Sequence, residues 1–108
     1  MIPDPNEMAK NAKQAEQFLK LLANQNRLMI LCNIMQREMS VSELNQHVPL
    51  TQSALSQHLA ALRQAGLVDT RREAKSIIYR ICDQRAALII QTLYGLFCHP
   101  DTEDTSTK

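Results

Sequence analysis

Apolar positions recur with helical period from residue 6 to 23, at Met8, Ala12, Ala15, Phe18, Leu19 and Leu22, and predict a first helix. Asn24, Gln25 and Asn26 interrupt it. Over residues 27–36 the apolar set Leu28, Ile30, Leu31, Ile34 and Met35 falls on more than one side, so a second, well-buried helix is expected. Residues 40–66, SVSELNQHVPLTQSALSQHLAALRQAG, read as two short helices joined by a turn. Ser40 and Glu43 have the spacing of a capping box. Pro49 cannot continue the helix they start, and Leu50 is placed to fill the corner. Thr51 is the expected cap of the next helix, and Gly66 stands where a left-handed C-terminal residue is wanted. In that helix Ala54, Leu55, Leu59 and Leu62 share the core face.

After Gly66 the period changes. Val68 and Thr70, then Ile77, Tyr79 and Ile81, alternate around a charged middle at residues 71–75, which predicts a two-stranded hairpin with a basic tip. Asp83 is the expected cap of a last helix running to Phe97, with Leu88, Ile89, Leu93, Leu96 and Phe97 on a broad apolar face. The expected fold is mainly α with a small β-hairpin, in the order α-α-α-α-β-β-α: a winged helix-turn-helix. Residues 1–5 read as a flexible arm, residues 6–98 as one DNA-binding and dimerisation domain, and residues 99–108 as a disordered polar tail. The first and last helices carry more apolar surface than one chain of 108 residues easily covers. A homodimer built on those two helices is therefore expected, with its two recognition helices about one DNA turn apart.

Composition adds little to the fold and something to the function. The net charge of +1 does not by itself suggest nucleic acid. Its distribution does: from Asp101 onward three acids oppose one lysine, leaving the body at about +3, and residues 71–80 hold four cations against Glu73. A local basic element on a near-neutral protein suits a few phosphate contacts. No apolar run approaches a membrane span and the N-terminus lacks a signal-peptide core, so a cytoplasmic protein is expected. Cys32, Cys82 and Cys98 are then expected to be reduced at rest.

The second helix of the helix-turn-helix carries the functional signal. Opposite its core face stand Gln52, Ser53, Ser56 and Gln57, all uncharged hydrogen-bonding side chains, where a merely solvated helix would carry Lys–Glu pairs. Such residues suit base edges, as on a recognition helix. Thr51, Arg71, Arg72 and Lys75 are expected to hold the DNA backbone, although the three cations also fit a solvated turn. His58 fits a phosphate contact or helix packing, and Arg63 a phosphate or the helix dipole. No C-x-x-C, Gly-rich phosphate loop or Ser/His/Asp arrangement is present, so neither an enzyme nor a cofactor is expected.

On the segments LLANQNRLMILC, SVSELNQHVPLTQSALSQHLAALRQAGLV and RREAKSIIYRI, the chain resembles the ArsR/SmtB family of winged-helix regulators over residues 8–98. The resemblance implies a repressor that binds a pseudo-palindromic operator as double-stranded DNA. Many such proteins sense metals. The thiolate site of that family needs a Cys-x-Cys pair on the helix matching SVSELNQHV, which has no cysteine here. The other known site needs Asp/His pairs on the last helix, which here has Asp83 and no histidine. No metal site is therefore expected. Cys32 and Cys98 match the persulfide- and redox-responsive (BigR/SqrR/HlyU-like) branch, in which bridging of two thiols by reactive sulfur species releases DNA. Taken without the resemblance, Cys32 in its apolar run also reads as a small buried hydrophobe. Cys82 has no counterpart in that branch and reads as structural. Two alternatives stay open: a metal or metalloid sensor using Cys98, His99 and a third ligand from the partner chain, with His47 a further candidate, and an activator that displaces a silencing protein.

Overall fold

A computed structural model describes residues 4–98. The expected N-terminal residues 1–3 and the tail at residues 99–108 lie outside the described residues. Helix α1 spans Pro5–Leu22, α2 Gln25–Gln36, α3 Val41–His47, α4 Gln52–Gln64 and α5 Gln84–Phe97. Three strands, β1 (Met39–Ser40), β2 (Val68–Glu73) and β3 (Ser76–Ile81), form an antiparallel sheet in the order β1-β3-β2.

The architecture is the expected winged helix-turn-helix, with three corrections. The hairpin is the larger part of a three-stranded sheet, because Met39 and Ser40 pair with Tyr79 and Ile78. Two residues are too few to show a period in the sequence. Next, α2 begins at Gln25 rather than residue 27. The polar break is its cap: the Asn24 side chain accepts from the backbone N–H groups of Asn26 and Arg27 at 2.9 and 3.1 Å. Finally, Asp4 and Pro5, expected in the loose arm, start α1, with Asp4 accepting from the N–H groups of Asn6 and Glu7. Pro5 sits in the first turn, where its missing N–H leaves no bond unmade.

The core is aliphatic and centres on α2, whose Ile30, Leu31 and Ile34 are buried against Leu44, Leu55, Leu59, Leu62 and Ile90. On α5 the buried side chains are Ala86 and Ile90. Much of the apolar face expected there is turned outward, with Leu88, Leu96 and Phe97 exposed, as are Met8 and Leu19 on α1. Phe18 and Leu22 anchor α1 to the core, and the Arg85 guanidinium sits 4.6 Å from the Phe18 ring centre.

Candidate nucleic-acid interface and thiol pair

The helix-turn-helix is built by local hydrogen bonds that leave one face of α4 free. Ser40 and Glu43 make the reciprocal capping box, with Glu43 Oε1 accepting from the Ser40 N–H at 2.9 Å and Ser40 Oγ from the Glu43 N–H at 3.2 Å. The same backbone bond, then Arg37 beside it, holds the Glu43 carboxyl below the usual glutamate range. At the turn, Asn45 donates from its side-chain amide to the Leu50 carbonyl at 2.8 Å and ties α3 to the entry of α4. Nothing in the sequence pattern marked Asn45; a polar residue on a short helix reads as solvent-facing. Thr51 Oγ1 caps α4 by accepting from the Ala54 N–H at 3.1 Å. The far end closes on Gly66 at φ +82°, with its N–H donating to the Arg63 carbonyl and that of Leu67 to the Leu62 carbonyl. That is a Schellman stop.

Between these caps Leu55, Leu59 and Leu62 are buried and Ala54 is half-buried, which orients the helix. Gln52, Ser53, Ser56 and Gln57 are consequently exposed along α4. Among the described residues none of these four side chains hydrogen-bonds within the chain, so their donors and acceptors face outward unspent. His58 is half-buried on the flank.

The cations of the wing do not form one patch. Arg80 pairs across the strands with Asp69 at 2.8 Å, and Arg71 pairs with Glu38 and, at 3.7 Å, with Glu73. Arg72 and Lys75 are exposed and make no ion pair among the described residues. The two-residue turn holds Ala74 at φ +58°, a left-handed conformation that glycine would adopt more easily.

Cys32 on α2 is half-buried and Cys98, at the C-terminal cap of α5, is exposed. Both line one cleft of about 610 Å³, whose walls include Leu28, Met29, Ile90, Leu93 and Phe97. Both cysteines thus border the same cleft of a single protomer. Burial pushes the Cys32 thiol above the ordinary cysteine range, and the nearby Cys98 sulfur adds to that. Cys82 stands apart from this cleft: its thiol donates to the Gly66 carbonyl at 3.3 Å, and burial raises its pKa too. Among the described residues no cluster of three or more His, Cys, Asp or Glu side chains has the arrangement of a metal site. His47 is on the exposed side of α3, and His99 lies outside the described residues.

Residues 24–70 match the family described as bacterial regulatory protein, arsR family. The chain is 48% identical over 94 residues to the biofilm growth-associated repressor of Agrobacterium fabrum, covering 87% of this chain and 80% of that protein. This chain belongs to the ArsR family. It is also 47% identical over 92 residues to the transcriptional activator HlyU of Vibrio cholerae, covering 85% of each. The solved structure of reduced HlyU superimposes with a TM-score of 0.81, over 86% of this chain and 98% of that one. A further neighbour, the homodimeric winged helix-turn-helix DNA-binding domain of a possible ArsR-family regulator from Mycobacterium bovis, matches at a TM-score of 0.69 and 29% identity over 89% of each chain. This ArsR-family chain is therefore a DNA-binding transcriptional regulator rather than an enzyme. No helix among its described residues is long and apolar enough to cross a membrane.

Proposed function

We propose that this regulator is a cytoplasmic homodimeric repressor that releases operator DNA when Cys32 and Cys98 are bridged by reactive sulfur species. The observation that carries the reading is the shared cleft: two thiols 66 positions apart in the chain line one apolar cavity between α2 and α5. Exposed Cys98 is the first to react. Its thiolate attacks the terminal sulfur of a persulfide, breaks the S–S bond and leaves a cysteine persulfide plus the departing thiolate. Cys32 then loses its proton to solvent and attacks the Cys98 sulfur, expelling hydrosulfide and closing a disulfide. If a second persulfide first extends the chain by one sulfur, the same attack one atom further out closes a trisulfide, again with loss of hydrosulfide. Either link joins α2, at the centre of the core, to α5, which carries exposed apolar surface open to a partner. Closing it changes the relation of the DNA-reading unit to the dimer helices.

Gln52, Ser53, Ser56 and Gln57 supply base contacts in this reading, and Thr51, Arg72 and Lys75 hold the backbone, with His58 at the flank. The test is operator binding before and after treatment with glutathione persulfide, followed by intact-mass measurement. Wild type is expected to release DNA and to lose two hydrogens, with or without added sulfur. Cys32→Ser and Cys98→Ser are expected to bind DNA and stay bound. A wild-type response in either variant refutes the switch. The likeness to the activator HlyU favours a second reading, in which the same binding activates genes by displacing a silencing protein. A promoter fusion measured with and without the regulator distinguishes the two by the sign of the change.

A further inference from the structure

Strand register divides the wing cations between two faces. Arg71 pairs with Ile78, and Ile78 pairs with Ser40, so these residues form one cross-strand row and project from one face of the sheet. Arg72 pairs with Ile77 and belongs to the other face. On the first face the Arg71 guanidinium reaches along the row to the carboxylate of Glu38, which lies between α2 and β1. Its other terminal nitrogen is 3.7 Å from Glu73. The Glu38 bond holds the guanidinium even more firmly in its charged form. One cation set beside two carboxylates has less net charge to offer a phosphate than Arg72 and Lys75, which make no ion pair among the described residues. Beside it Arg37 pairs with Glu43 at 3.2 Å, so the segment following α2 is tied both to the wing and to the capping box of α3.

We propose that Arg71 is a positioning residue for DNA binding and not a phosphate contact: with Glu38 it sets the pose of the wing relative to α2, the helix that carries Cys32. The proposal rests on the wing reading above, in which Arg72 and Lys75 meet the backbone. Its premise is geometric: one terminal nitrogen of the Arg71 guanidinium bonds Glu38 while the other stands 3.7 Å from Glu73, which gives the side chain a fixed direction.

Affinities across a salt series test it, using a duplex selected from a random library by the wild-type protein, with thermal melts confirming that each variant is folded. Glu38→Gln is expected to weaken binding about two- to fivefold, although it removes a negative charge from beside the wing. Arg71→Ala is expected to weaken binding by a similar factor with the salt slope unchanged. Arg72→Ala and Lys75→Ala are each expected to flatten that slope by about one unit, because each removes a cation that neutralises one phosphate. Arg71→Lys keeps the charge but not the fork, and is expected not to restore affinity. Tighter binding by Glu38→Gln, or an Arg71→Ala slope as flat as that of Arg72→Ala, overturns the proposal. Salt slopes unmoved by Arg72→Ala and Lys75→Ala refute wing contact itself, and the positioning role falls with it.

Discussion

Cys32 and Cys98 have the same functional group in unlike surroundings, and the proposed order of reaction rests on that difference. Cys32 is half-buried and its pKa is raised, chiefly by loss of water and secondarily by Cys98. At neutral pH it is a thiol waiting for a reason to ionise. Alkylation of Cys32 in the Cys98→Ser variant is therefore expected to be slower than that of a free cysteine at about pH 7.5. It should keep accelerating as pH rises past the ordinary thiol range, which a pH series of modification rates by mass spectrometry checks. Because burial is the larger cause, the profile in Cys98→Ser should lie only slightly to lower pH of the Cys32 profile in wild type. Glu43 shows the opposite sign. Its lowered pKa contributes stability that is present above the ordinary glutamate range and is lost as pH falls through the folded value, so acid melts of Glu43→Gln should lack that component. The capping partners of Glu43 were readable from four letters of sequence because the motif is local. The environment of Cys32 was not, since its apolar run by itself favoured a small core residue and only the family resemblance pointed to a sensor.

At the scale of elements, α4 illustrates why local signals succeed. Thr51 and Gly66 bound it through bonds to groups a few residues away, and the burial of Leu55, Leu59 and Leu62 follows from helical spacing alone. Gly66 has open space where a Cβ would stand, so its requirement is purely conformational. Gly66→Ala is expected to cost about 1 kcal/mol in stability, read by denaturant titration, without a packing defect. The wing was legible only in part. Alternation located β2 and β3, but β1 has no period of its own and exists because β3 offers an unpaired edge. Likewise the basic tip was visible as composition, while the removal of Arg71 and Arg80 into ion pairs depends on carboxylates contributed by other segments and strands.

For the whole molecule the uncovered apolar surface is the decisive quantity. Leu19 on α1 is 51% exposed and Leu88 on α5 is 57% exposed, although both lie on faces whose pattern demands burial. In the proposed homodimer, pairing of two chains through these helices removes that surface from water. The double variant Leu19→Asp/Leu88→Asp is expected to sediment as a monomer and to lose most of its operator affinity while its core still melts cooperatively, because Phe18, Leu22 and Ile90 hold the protomer together. Sedimentation that is unchanged from wild type would place the interface elsewhere.

The order of the five helices and the hairpin, the caps at Ser40, Thr51 and Asp83, the core of α2 and α4 and the uncharged face of α4 were determined by sequence, because each follows from side-chain spacing within one or two turns. Tertiary structure alone decided which groups from distant segments meet. It set Cys32 and Cys98 around one cavity, drew Arg71 to Glu38 and away from the surface charge of the wing, and turned the apolar faces of α1 and α5 outward. Those outcomes depend on how helices and strands stack, and the periodicity of a chain says which face is buried without saying against what.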